Sequence, residues 1–210
     1  MRADFDAMQA ILWSVTYVLI ILYNIRYRTL GIPPIAIASN LAWETVALLQ
    51  DMRRVPTSSN IYIYIYDILH GNLIHIAWFF LDALIVVTYL VFCRPVYLKR
   101  KWYWAVLYAA DLFLFFFAFE HGGMLLSSFI IDCTMAIEYF LYSFNRKFKV
   151  NWLAAVICAA KMLGDWCAYL CYRRYSAAVA VLGIVILVLN MGCFGEVLLR
   201  LYKENRRDSR

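Results

Sequence analysis

The stretch Leu73–Phe92, LIHIAWFFLDALIVVTYLVF, decides the fold. Twenty residues carry one charged side chain, Asp82, and their apolar positions follow neither a stripe nor an alternation. A segment apolar on every side has no aqueous face. At 1.5 Å per residue it spans the roughly 30 Å hydrocarbon core of a bilayer. A barrel strand would alternate apolar and polar residues, so an α-helix is the structure that satisfies this backbone in lipid.

Six further runs read the same way: Met8–Asn24, Ile32–Leu49, Trp102–Phe119, Met124–Phe144, Trp152–Cys171 and Ala177–Leu198. Seven spans with short loops use almost all of the 210 residues, which are read as one domain, 1–210. Apolar residues make up 65% of the chain and charged residues 16%, against about half and a quarter in soluble domains. A disordered chain and a soluble enzyme are both excluded by this composition. The first run follows Arg2, Asp4 and Asp6 and shows no small-residue cleavage site, so it is expected to be a retained span. Gln50–Asn72 is the longest loop, and its alternating Ile61–Tyr66 suits an interfacial segment or a short strand.

Basic residues give the orientation. Those following the odd-numbered spans are Arg26 and Arg28; Arg94, Lys99, Arg100 and Lys101; Arg146, Lys147 and Lys149; and Arg200, Lys203, Arg206, Arg207 and Arg210. The opposite side has only Arg2, Arg53, Arg54, Arg173 and Arg174. The positive-inside rule then predicts an external N-terminus and a cytoplasmic C-terminus. The formal charge of +6 is thus a topology signal, and no nucleic-acid partner is implied. The six cysteines are expected to pack as small polarizable groups, with Cys167 and Cys171 one turn apart. His70, His75 and His121 are read as interfacial packing residues, and no metal-ligand spacing is visible.

The informative residues are the acids inside the spans: Glu44, Asp82, Asp111, Asp132, Glu138, Asp165 and Glu196. One base, Lys161, lies inside to pair with them. Intramembrane carboxyls are costly and must face a polar interior or a cavity, where the neutral acid is favoured. Counting along the helices puts Glu44 and Asp165 about 9 Å below the outer surface, and Asp82, Asp111 and Asp132 about 12–14 Å below it. Glu138 and Glu196 fall near the cytoplasmic end. Five carboxyls at similar depth point to one polar chamber in the outer half. The bland alternative is a set of interhelical hydrogen bonds.

Local patterns single out two acids. Asn40 precedes Glu44 by four positions, and Lys161 precedes Asp165 by four. This echo, with the matching Leu22-Tyr23 and Leu141-Tyr142 ends, suggests parallel three-helix repeats around a central fourth span. Asn40 is expected to hydrogen-bond Glu44, and Lys161 to be the charge partner of Asp165. Trp43 adjoins Glu44, Trp166 adjoins Asp165, Trp78 stands one turn from Asp82, and Tyr169 one turn beyond Asp165. A protonated carboxyl in an aromatic-lined, dry pocket suits acid-started carbocation chemistry, because a π-face stabilises a cation by about 1–2 kcal/mol or more. The same groups suit cation or amine binding in a carrier, or a scaffold that uses them for packing alone.

The segments Asn40-Leu41-Ala42-Trp43-Glu44, Trp78-Phe79-Phe80-Leu81-Asp82 and Lys161-Met162-Leu163-Gly164-Asp165 resemble those of the small seven-helix membrane terpene cyclases. That family serves fungal meroterpenoid and indole-diterpene pathways and has bacterial relatives acting on prenylated cyclodipeptides. Size and span number resemble the family along nearly the whole chain; the motifs are short. The resemblance implies that Glu44 and Asp165 protonate an epoxide or olefin of a prenylated, hydrophobic substrate. It implies no cofactor and no metal, and the Asp-rich motifs of soluble terpene synthases are absent. It further implies support from Asp82, Asn40, Lys161, Asp111 and Asp132, and cation stabilisation by Trp43, Trp78, Trp166 and Tyr169. A prenyltransferase and an epoxidase are the implied functional partners. The short chain suits a multi-pass protein of a bacterial plasma membrane. The alternative is a 3+1+3 carrier with an acidic midplane site, though Gly164 has no glycine counterpart in the second run.

Overall fold

The computed structural model describes residues 2–54, 73–93, 101–145 and 148–208, and these are all helical or connecting. The Ile61–Tyr66 alternation and His70 lie outside the described residues. Among the described residues six helices follow one another: α1 Arg2–Tyr27, α2 Pro34–Arg54, α3 Leu73–Phe92, α4 Lys101–Ser143, α5 Trp152–Tyr172 and α6 Ala177–Asp208. Five of them, all but α2, are long and apolar enough to cross a membrane.

Local chemistry sets several ends. Pro34 opens α2, where a missing N–H costs nothing. Asn151 caps α5, its side chain accepting from Ala154 N at 2.9 Å, and Ser176 Oγ accepts from Val179 N ahead of α6. Past α1, Asn24 is fully buried and its side chain holds the turn, accepting from Gly31 N at 2.8 Å and donating to Thr88 on α3 at 3.1 Å.

The fourth and fifth apolar runs join in α4, whose 43 residues are helical on both sides of one break. Gly123 has φ 74° and ψ 171°, a combination open essentially to glycine alone. Partners on α2 reveal what the break does. Before it, Ser39 pairs with Asp111 and Gln50 with Glu120, so α4 runs parallel to α2. After it, Trp43 pairs with Ser127, and Leu30, just ahead of α2, accepts from Tyr142, so the direction is reversed. The same reading makes α1 antiparallel to α5, through Asp6–Tyr172 and Tyr23–Lys149. It makes α1 parallel to α3, through Ser14–Trp78 and Asn24–Thr88.

That α2, read from sequence as an apolar span, is not among the five has a packing cause. Ala36, Ile37, Ala38, Ala42 and Ala47 are fully buried, as are Ser39, Asn40 and Glu44 to within a few per cent. The helix is enclosed by α3 and α4 and turns its polar groups to protein, so it needs no lipid-facing surface. Exposed apolar side chains such as Ile11, Phe80, Phe113, Val181 and Val188 clothe the other helices. One buried cluster draws on all six helices, with Trp13, Tyr17, Tyr23, Ile85, Phe115, Tyr139 and Ile157 among its members. The tail of α6 continues beyond Leu201 into exposed Lys203, Arg206 and Arg207, consistent with about 48 Å of helix against a 30 Å core.

Candidate functional site: two buried carboxyl clusters around an aromatic centre

Glu44 sits midway along α2, 1% exposed. Its Oε2 lies 3.3 Å from His75 Nδ1 on α3. The imidazole is flanked by Trp43 and Trp78, ring centroids 5.7 and 5.9 Å away. Trp43 donates Nε1–H to Ser127 at 3.2 Å, and Trp78 donates to Ser14 at 3.0 Å. Both indoles are therefore held in place by a hydroxyl.

One turn deeper, Asn40 donates to Tyr17 OH at 2.8 Å and to Asp82 Oδ2 at 2.6 Å. Both amide N–H donors are used there, so none is left for Glu44. This corrects the expected Asn40–Glu44 bond: α1 and α3 present better acceptors than the same helix does. Asp82 is fully buried, and its Oδ1 has no protein partner among the described residues.

The second cluster lies between α5 and α6. Lys161 Nζ donates to Asp165 Oδ2 at 2.7 Å and to Asn190 Oδ1 at 3.3 Å, while Asn190 Nδ2 donates to the same Asp165 oxygen at 2.6 Å. Lys161 is 2% exposed and does not snorkel. Its ammonium also lies over the rings of Trp13 at 5.0 Å and Tyr139 at 5.7 Å. Asp165 Oδ1, like Asp82 Oδ1, is buried without a hydrogen-bond partner among the described residues.

An aromatic centre joins the two. Trp13 contacts Tyr17 at 5.6 Å, and Tyr17 meets Trp78 edge-on at 6.4 Å. A Cβ at Gly164 would come within 3.2 Å of Trp13 Cδ1, so glycine is what lets this indole lie against α5 one residue before Asp165. Asp132, on α4 after Gly123, is within electrostatic reach of Asp165, Lys161 and Glu44. Tyr17 is within reach of Asp82, Glu44 and Asp132. Four of the five outer-half acids thus converge on one interior.

The remaining expected members lie elsewhere. Asp111 is half-buried on the first arm of α4 and accepts from Ser39 Oγ at 2.8 Å, on another face of α2. Trp166 is 47% exposed, so its ring does not stand over Asp165; half-buried Tyr169, its ring centroid 6.4 Å from that indole, packs against Gly183 of α6. The i+1 position of a helix points about 100° away, and that rotation carries Trp166 to the lipid side. His121 stacks on Phe117, centroids 4.0 Å apart.

Sequence spacing missed His75, Tyr17, Trp13, Asn190 and Tyr139. Tyr17 and Asn190 are polar groups within apolar runs, a signal that was present; Trp13 reads as a belt residue. The link from His75 to Glu44 crosses helices and leaves no trace in spacing. Cys158 and Cys193 also meet across α5 and α6, Sγ–Sγ 3.8 Å. Among the described residues no three His, Cys, Asp or Glu side chains group as metal ligands would. No known family, curated protein or solved structure matches the chain.

Proposed function

We propose that the chain is an acid-initiated terpene cyclase of a bacterial plasma membrane, with seven spans, an external N-terminus and a cytoplasmic C-terminus. The reversal at Gly123 supports two spans within α4, and the skewed basic residues support the orientation. The observation that carries the functional reading is the unequal furnishing of two buried acids around one set of indole and phenol rings. Glu44 faces an imidazole, whereas Asp165 is bonded by an ammonium and an amide.

Roles follow from those partners. Lys161 and Asn190 both donate to Asp165 Oδ2, which suits it to accept a proton or to balance a cation. Glu44, 1% exposed and beside the indoles of Trp43 and Trp78, is placed to be the proton donor. Its O–H proton would go to the epoxide oxygen or terminal olefin of a prenylated substrate. The resulting cation would be attacked by the next π-bond of the chain, in contact with Trp43 and Trp78. Loss of a ring-adjacent proton, to Asp165 or a neighbouring base, would end the reaction, so one proton enters and one leaves. Asp82, Asn40 and Tyr17 would fix the wall opposite, and the free Oδ1 of Asp82 would accept from a substrate hydroxyl or water.

The test is product analysis by mass spectrometry and NMR after co-expression with a prenyltransferase and an epoxidase. Cyclised product is expected from the native chain. Glu44→Gln and Asp165→Asn are each expected to lower turnover by about 10²–10⁴-fold, while the protein remains in the membrane. Near-native turnover in either variant removes that residue from the chemistry. Substrate-dependent flux in proteoliposomes without chemical change would replace the cyclase reading by the carrier.

A further inference from the structure

Glu44 has a problem of supply. Its side chain is 2% exposed, so after giving up a proton it has no direct route to water. His75 is differently placed. It is the third residue of α3, beside Leu73 and Ile74, which are 65% and 43% exposed, and its own side chain is 12% exposed. Its Nδ1 faces Glu44 Oε2 at 3.3 Å, and Trp43 and Trp78 hold the ring from two sides. Imidazole has two nitrogens and titrates near neutrality, so it can take a proton at one and release it at the other.

We propose that His75 is the relay that reprotonates Glu44 from the outer aqueous side after each turnover, a role resting on the cyclase reading above. Imidazolium Nδ1–H passes its proton to the Glu44 carboxylate, leaving neutral imidazole and a carboxylic acid. The ring then turns so that its remaining N–H faces Glu44, and the deprotonated nitrogen, now on the outer side, takes the next proton from water. Among the described residues, the other titratable groups within electrostatic reach of Glu44 are Asp82, Tyr17 and Asp132. Asp82 and Tyr17, from α3 and α1, are buried, and Asp132, from α4, belongs electrostatically to Asp165 and Lys161 as well. His75 is thus a positioning and proton-supply residue; it acts on substrate only through Glu44.

The experiment compares native protein, His75→Gln and Glu44→Gln in nanodiscs. His75→Gln is expected to give one full turnover at a near-native rate and then a steady-state rate about tenfold or more lower. Its rate should lose the neutral-pH limb of the profile, and added imidazole should restore it. A variant with native steady-state rate and pH profile overturns the relay. So does one that loses the first turnover equally, since that marks a packing role. Infrared difference spectra supply a readout without substrate. The Glu44 carboxyl band, assigned by its loss in Glu44→Gln, should follow a jump in external pH more slowly in His75→Gln. If no prenylated substrate is cyclised by native protein but this slowing is seen, the relay stands and the cyclase reading falls. Equal band kinetics in the two proteins overturn the relay whatever the substrate results.

Discussion

An ammonium taken out of water costs several kcal/mol unless its N–H groups and charge are matched. Lys161 meets that condition completely: a carboxylate, an amide oxygen and two aromatic faces surround it. Lys161→Met removes the charge and leaves Asp165 buried with Asn190 as its remaining donor. The expected loss is about 3–5 kcal/mol, the usual penalty for orphaning one member of a buried pair. Thermal unfolding in detergent measures it, and Lys161→Met with Asp165→Leu and Asn190→Leu should recover most of the loss, since the three apolar groups need no partners. If the single variant melts as the native protein does, the pair is not the structural anchor described here. Four-residue spacing made this contact legible in the sequence, because i and i+4 stack on a helix. The same spacing misled at Asn40. A rule about one helix contains nothing about what a second helix presents, and Asp82 and Tyr17 presented more. Trp166 misled for a related reason: adjacency along a helix is separation in space.

At the scale of elements, Gly123 converts one helical run into two oppositely directed arms. Its φ of 74° with ψ of 171° places any Cβ in conflict with its own backbone, although no neighbouring side chain lies within 4 Å of that Cβ. Gly123→Ala should therefore cost about 1–3 kcal/mol through the backbone alone. Gly122→Ala tests a different term, since its Cβ would come within 2.8 Å of Leu126 Cδ2, the flexible end of a side chain able to give way. Unfolding midpoints of the two variants in one detergent should rank Gly123→Ala as clearly the less stable. The reverse order would mean that the reversal does not depend on this dihedral. Five apolar helices were legible from composition because lipid demands apolar surface wherever it touches. The second helix, read from sequence as the apolar run Ile32–Leu49, carries buried Ser39, Asn40, Glu44 and Gln50 because much of its surface meets protein.

At the scale of the whole molecule, parity connects the turn at Gly123 to the charges at the far end of the chain. On the proposed topology, with α4 folded back and α2 crossing, seven rods separate the two termini, so an external N-terminus requires a cytoplasmic C-terminus. Were α4 one straight rod of about 65 Å, it would exceed twice the hydrocarbon core, and six rods would carry Arg200, Lys203, Arg206 and Arg207 to the outside. That places the densest basic segment on the face where such residues are normally scarce. The folded-back arrangement avoids both costs at once. It also brings Asp132, on the returning arm, toward Glu44, Asp165 and Lys161, so the acid cluster and the topology stand together. Alkaline phosphatase joined after Arg210 should be inactive, and green fluorescent protein at the same point should fluoresce. Phosphatase inserted between Glu120 and His121, at the outer turn, should be active. An active phosphatase at the C-terminus would unfold α4 into a single crossing and take Asp132 out of the site.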